Sequence, residues 1–288
     1  MSNESTTTSL NDLLPQIVAE ALFVASERSI MRGLVRNYTL APGQGKTVTV
    51  PIYPLQTAAG LTEGTDLTNT AVSTSGATLT VAEVGLMTTV TDLARNTSSS
   101  DVVADVGRLF GEAIARKIDT DLTAAFASFT TNVVGSANIQ AISGAITAAD
   151  VFKAVAKLKS AGVPSQDIFC VLHPAIAYDL KANLTNTFAN PNAGVAQNEA
   201  MAMGYIGQLA GVAVYETSNI ANNGTGGDFV GGVFHRDALG LAVLDDISIE
   251  LQRDASLRAT EVVATARYGA GVIYEQYGVA MSFDSSVL

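Results

Sequence analysis

Between two strand-like runs lies a stretch, Pro54 to Ala77, that is too poor in apolar side chains to build a core: Leu55, Leu61, Leu67 and Val72 are scattered among Thr, Gly and Ser. A structureless polar loop of that length does not belong inside a compact domain unless it is functional. On its N-terminal side Val48, Val50 and Ile52 alternate with Thr47, Thr49 and Pro51, the two-residue period of a strand, and Pro51 puts that strand at an edge. On its C-terminal side Thr78 to Thr91 also alternates, but Leu79 and Val81 hold odd positions while Val84, Leu86 and Val90 hold even ones. The phase change predicts a bulge near Ala82-Glu83. Thr favours extended backbone, so residues 42–91 read as a long two-stranded arm projecting from a body. An isolated pair of strands is marginal in water. The arm therefore needs a neighbouring molecule to lie against.

The rest of the chain can supply the body, since 288 residues suffice for a sizeable core. Leu10, Leu13, Leu14, Ile17, Val18, Ala21 and Leu22 recur at helical spacing, with Gly33 as a stop, which predicts an amphipathic N-terminal helix. Ser98-Ser99-Ser100-Asp101 offers N-caps to a run in which Val102, Val106, Leu109, Phe110, Ala113, Ile114, Ile118, Leu122, Ala125, Phe126 and Phe129 keep one face apolar. A helix over 101–129 would be about 43 Å long, a spine for the whole fold.

The middle third reads as α/β units. A helix over Thr147 to Ser160 turns Val151, Phe152, Val155 and Leu158 inward, Gly162-Val163-Pro164 ends it, Ile168 to Leu172 is a buried strand, and Pro174 opens another helix. Loops at Ala189 to Gly194 and Asn222 to Gly227 flank strands at Val212 to Glu216 and Val230 to Phe234. In the last third Ile247, Ile249 and Leu251 alternate, then Thr260, Val262, Ala264, Ala266 and Tyr268, then Val279, Met281 and Phe283. These long strands are expected to return to the spine and cover its apolar face.

Charged residues make up only 15% of the chain, well below the quarter typical of soluble domains, and an uncharged surface is often a contact surface. A net charge of −11 argues against a general basic footprint for nucleic acid. The lone Cys170 cannot form an intrachain disulfide. Met1 to Thr8 lacks the basic-then-apolar pattern of a secretory signal, and no apolar run approaches the roughly 18 residues of a membrane helix.

Several short motifs tempt a catalytic reading. Gly45-Lys46-Thr47 matches the end of a phosphate-binding loop, but that loop needs a first Gly at position 40, where Leu40 stands, and a helix afterwards, where a strand follows. His235-Arg236-Asp237 resembles a kinase catalytic loop, yet Gly227-Asp228-Phe229 precedes it and runs into Val230, the wrong order for that enzyme. The tripeptide reads instead as a polar turn. Cys170 with His173 suggests a thiol nucleophile, against which stands the tendency of free Cys to be buried. Asp119 with Asp121, and Asp245 with Asp246, are the nearest approach to paired carboxylates, and with one Cys and two His a transition-metal cluster is poorly supplied. No catalytic, cofactor-binding or metal-ligating residue is assigned from this pass.

The order of elements resembles that of a tailed-bacteriophage major capsid protein over nearly the whole chain. The stretches that carry the resemblance are Gly45-Lys46-Thr47-Val48-Thr49-Val50-Pro51 leading into an extended loop, Glu63-Gly64 within it, Asp101 to Phe129 as the spine, and Ile247 to Tyr268 with Gly269 as long peripheral strands. The resemblance implies an α+β phage major-capsid fold. Its parts would be an N-terminal arm (1–41), an extended β-hairpin loop (42–91), a peripheral domain (92–146 and 247–288) and an α/β axial domain (147–246).

It implies, further, a structural virion protein that assembles with itself into hexamers and pentamers of an icosahedral head around double-stranded DNA, without sequence-specific DNA binding, membrane or cofactor. Expected partners are a separate scaffolding protein, because few residues precede the first helix, a portal, and a decoration protein in some heads; assembly would take place in the host cytoplasm. Covalent crosslinking known in part of the family is not carried over, since no Lys-Asn pair can be matched. Two alternatives stay open: an encapsulin-type cellular shell and a soluble α/β hydrolase using Cys170.

Overall fold

The computed structural model describes residues 29–41, 43, 45–53, 71–97, 102–135, 144–188, 208–223 and 227–287, with six single positions between 56 and 66. The expected N-terminal helix, the capping run Ser98 to Asp101 and the loop Ala189 to Gly194 lie outside the described residues. A one-turn helix α1 (Met31–Leu34) leads into strand β1 (Arg36–Thr39). Gly33 lies inside α1 rather than ending a helix, and the backbone turns extended only at Val35, where strand pairing takes over.

β2 (Thr47–Ile52) has the expected alternation, with Val48, Val50 and Ile52 half-buried and the residues between them exposed. It pairs antiparallel with β3 (Ser75–Thr80) in a separate two-stranded ribbon. The phase change that predicted a bulge is a switch between sheets. The chain leaves the ribbon at Val81, whose N–H donates to the Lys46 carbonyl at 2.8 Å, and continues as β4 (Ala82–Thr91) in a different sheet. Leu79 and Val81 are buried in a small cluster with Leu40 and Ala242, whereas Val84, Leu86 and Val90 pack on the main core. The two parities serve two different surfaces, so only the first part of the 42–91 segment is a free-standing arm.

A short helix α2 (Asp92–Thr97) follows, with the Thr91 hydroxyl accepting from the Ala94 N–H at 3.3 Å. The spine is α3 (Val102–Ala124), continued by a 3-10 turn over Ala125–Ser128. Its 23 residues span about 35 Å, shorter than the 101–129 expectation. The helix tightens because Phe126 and Phe129 must both turn inward; Phe126 packs on Phe234 with ring centroids 5.4 Å apart. The buried face is also narrower than expected. Val106, Phe110, Ile114, Ile118 and Leu122 recur every four residues, while Leu109 is 58% exposed.

The remaining elements are β5 (Val133–Val134), α4 (Ala148–Ser160), β6 (Ile168–Leu172), α5 (Pro174–Phe188), β7 (Gln208–Leu209), β8 (Val212–Glu216), β9 (Asp228–His235), β10 (Leu239–Asp254), β11 (Ala259–Val272) and β12 (Gly278–Asp284). Thr147 and Asp150 form a reciprocal capping box on α4. Val151, Ala154, Val155 and Leu158 face inward there, but Phe152, expected in the core, is exposed, because Ala154 takes the fourth inward position of the helical stripe.

Four strands, in the order β1-β10-β11-β4, form a long sheet that carries α3 on one face, and six strands, β5-β12-β9-β6-β8-β7, form the second. β9 and β12 are buried along almost their whole length, so the alternation of Val279, Met281 and Phe283 does not mark a solvent-facing side. The last strand does not return to the spine's sheet as expected; β12 pairs with β9 inside the six-stranded sheet. β10 continues through positions 246 and 247, where the sequence suggested a domain boundary, although its register with β11 shifts there, between Asp245 and Ser248. One hydrophobic core spans α3, both sheets and helices α4 and α5.

Candidate assembly interface

The β2–β3 ribbon is seated on the body by few side chains. Leu79 and Val81 are buried against Leu40 and Ala242, with Tyr38, Val48 and Leu244 around them. The chain turns into β2 through Gly43 and Gly45, both in the left-handed region (φ 91° and 87°) that favours glycine. The seat requires a second glycine feature: at Gly269 the Thr80 carbonyl oxygen lies 2.2 Å from where a Cβ would stand. Gly269→Ala should therefore unseat the ribbon and lower stability by about 2 kcal/mol, read as a lower thermal midpoint; an unchanged midpoint would show that the backbone there yields freely. Among the described residues the arm has no buried cluster beyond the seat. Tyr53 and Val72, where the described arm ends, are 65% and 56% exposed.

Other large apolar side chains stand in solvent at the far end of the long sheet. Asp92 donates its N–H to the Arg258 carbonyl at 3.0 Å, and its carboxylate takes both arms of the Arg253 guanidinium at 2.7 and 2.6 Å. Asp254 accepts from the Ser256 N–H and hydroxyl and from the Leu257 N–H. The Ser256 hydroxyl bond above all, with the two amides, holds the Asp254 carboxyl below the usual range. These bonds fix the β10–β11 turn, in which Leu257 is 60% exposed, and Leu93, next to Asp92, is 73% exposed. Met87, Leu109, Phe152 and Tyr178 are also exposed, on β4, α3, α4 and α5 respectively.

None of the tempting motifs forms a reaction centre. Gly45-Lys46-Thr47 opens directly into β2, with no helix N-terminus to hold phosphate. Lys46 is exposed at the root of the arm. Cys170 is wholly buried in the middle of β6, and burial pushes its thiol up to about 12, so no thiolate nucleophile is present at neutral pH. The His173 ring stacks on Phe229 at 3.7 Å, and its Nδ1 accepts from the Ala175 N–H at 3.2 Å. Burial lowers its pKa, so the ring is a neutral cap for α5. His235 caps the 3-10 turn that follows β9, its Nδ1 accepting from the Asp237 N–H at 3.2 Å, and the Asp237 carboxylate is held by Arg36 at 2.8 Å.

The paired carboxylates are separated by their partners. Asp121 accepts from Lys117 at 2.7 Å and from the Tyr268 hydroxyl at 2.8 Å. Asp245 binds Arg267 and Asp246 binds Arg32. Among the described residues, no group of three or more His, Cys, Asp or Glu could hold a metal ion. Likewise, among them no helix is long and apolar enough to cross a membrane.

Asp119 has a role that spacing did not reveal. It is fully buried on α3 and accepts from the Ser29 hydroxyl at 2.8 Å, the Ile30 N–H at 3.1 Å, the Met31 N–H at 3.2 Å and the Asn219 amide at 3.4 Å. The spine thus caps α1 from outside, satisfying amides at a helix start, and ties the root of the N-terminal segment to the loop after β8. The sequence signal was an acid at a position the helical stripe makes inward.

The sequence pattern of the phage capsid protein family matches residues 74–282, from the end of the arm through β12. The chain belongs to the phage capsid protein family. The capsid chain of cyanophage P-SCSP1u superposes with a TM-score of 0.69 at 21% identity, over 90% of this chain and 89% of that one. A chain of Mycobacterium phage Che8 gives 0.66 at 20% identity, over 83% and 85%. The acid-stable capsid of Helicobacter pylori bacteriophage KHP30 gives 0.69 at only 10% identity, over 89% and 91%. No curated protein sequence matches. This phage capsid protein has the capsid fold along its described length and is a major capsid protein, the subunit that forms the head shell by assembling with itself.

Proposed function

We propose that the subunits of this capsid protein group as hexamers and pentamers of an icosahedral head enclosing double-stranded DNA, each β2–β3 arm lying across an adjacent subunit. The observation that carries this reading is the arm itself: a two-stranded ribbon seated by a handful of side chains, with Tyr53 and Val72 in solvent. Such a ribbon gains stability only from a neighbour. The N-terminal arm expected over 1–41 is shorter than that, because Met31, Leu34 and Val35 are buried in the subunit's own core and Arg36 to Thr39 pair with β10; only the part before Ser29 serves as a second arm between subunits.

The six-stranded sheet with α4 and α5 forms the axial part, near the capsomer centre. The peripheral part is α3 with the β1-β10-β11-β4 sheet, so the division follows the sheets, and β12 goes with the axial part. A separate scaffolding protein, a portal and, in some heads, a decoration protein are the partners, with assembly in the host cytoplasm. The net charge of −11 favours a container that encloses duplex without adhering to it. The protein acts by assembly rather than by turnover, as its membership of the phage capsid protein family suggests.

Negative-stain imaging of the purified protein, expressed alone and with a scaffold candidate, tests this. Closed shells or five- and sixfold capsomers are expected. Single subunits under every condition, or rings of another order, would overturn the reading.

A further inference from the structure

The long sheet has one long unprotected edge. In the order β1-β10-β11-β4 the last strand pairs with β11 from Ala82 to Thr91 in unbroken register, and among the described residues no strand pairs with its other side. Unpaired N–H and C=O groups along an edge are a template for another strand, and proteins that keep such an edge in water blunt it with Lys, Pro, a bulge or a covering element. β4 reads A-E-V-G-L-M-T-T-V-T. Its single charge, Glu83, is engaged by Arg267 at 3.2 Å, and nothing else in the strand repels a partner.

The arm offers a matching edge. β3 pairs with β2 on one side only among the described residues and reads S-G-A-T-L-T, without charge or proline. The outer edge of β2 is interrupted by Pro51, which has no N–H to give. β3 cannot reach the second half of β4 in its own chain. Thr80 abuts Gly269 of β11, while Thr89 stands opposite Glu261, about 26 Å further along the strand at ~3.3 Å per residue.

We propose that the outer edge of β4 is completed in the shell by β3 of a second copy, so that the arm of one subunit continues the long sheet of the next. This rests on the reading that the arm crosses onto a neighbour, and it names the strand that receives it.

Hydrogen exchange on assembled shells and on dissociated subunits, with cysteine pairing in the same shells, tests the proposal. On assembly, amides within 75–80 and the outward-facing amides of 82–91 should slow by at least about tenfold. Thr78→Cys combined in turn with Met87→Cys, Thr88→Cys and Thr89→Cys should give a disulfide ladder between chains on oxidation. A disulfide needs Cα atoms within about 7 Å, so a bond from Thr78→Cys to Thr89→Cys cannot form within one chain, and the buried Cys170 does not contribute. Shells whose 82–91 amides exchange as in the free subunit overturn the pairing and leave the assembly reading standing. So does a Thr89→Cys single variant that links to itself, since that sets β4 against β4. Folded subunits that never assemble overturn the proposed function, and the pairing with it.

Discussion

Replacing residues 53–74 with an Asn-Gly turn should leave a subunit that folds normally and builds no closed shells. Ile52 and Ser75 are register partners at the outer end of the ribbon, and a two-residue Asn-Gly turn is the connection such a pair accepts. The seat formed by Leu79, Val81, Leu40 and Ala242 stays intact, so the thermal midpoint and helix content should hold. What is lost is the reach of the arm and its exposed Tyr53 and Val72. Obligate interfaces commonly bury on the order of 2,000 Å² or more, and removing an element that projects into a neighbour takes a large share of that. Electron microscopy with parallel thermal melts measures both halves of the prediction. Normal closed particles from the shortened chain would contradict it.

Asp119→Ala should cost about 3 kcal/mol in folding stability, because the Ser29 hydroxyl and the Ile30 and Met31 amides would lose a buried acceptor together. Denaturant titration reads this as a lower midpoint with an unchanged slope; a shift within a few tenths of a kcal/mol would show that water replaces the carboxylate. The pH dependence has a definite sign. Burial, the largest influence, raises the Asp119 carboxyl above its ordinary value, while the bonds from Ser29, Ile30, Met31 and Asn219 pull it down without cancelling the effect. The folded protein therefore keeps this proton to higher pH than the unfolded chain. The residue's contribution to stability falls as pH rises from the ordinary carboxyl range to the raised value, and is flat above it. Asp119→Asn removes that slope, which a comparison of stability-versus-pH curves detects.

Where one residue type did one job, the sequence was legible. Alternation in Thr47 to Ile52, the helix over Thr147 to Ser160, Pro174 at a helix start and the apolar run of β6 all folded as their local chemistry dictates. Readings failed where tertiary context reassigned a local signal. The parity change at Val81 looked like a bulge because spacing reports which side a residue faces, not which sheet it joins. Phe126 and Phe129 fit the spine's helical stripe, yet the demands of the aromatic cluster at Phe234 end the helix before them. β12 was recognisable as a strand, but its pairing with β9 depends on long-range register that alternation cannot specify.

The interface was legible in kind and not in detail. The arm's glycine turn and proline edge follow from residues 43–51, but its seat, built from Leu40, Leu79, Val81 and Ala242, joins distant parts of the chain that no local pattern connects. Met87 stands on the face opposite Val84, Leu86 and Val90, as alternation requires, whereas Leu93 and Leu257 lie in a short helix and a turn, where alternation carries no information. Asp119 was noticed as half of a carboxylate pair. Helical geometry separates i and i+2, and that alone argued for two independent roles.

The central claim is that this protein builds a shell by laying its arm across a neighbour. Cryo-electron microscopy of shells formed by the full chain, at a resolution that traces the backbone from Val48 through Thr80, tests it most directly. The account predicts closed shells of five- and sixfold capsomers in which each β2–β3 arm rests on the long sheet of an adjacent subunit. Closed shells in which every arm folds back on its own subunit and touches no other would contradict it.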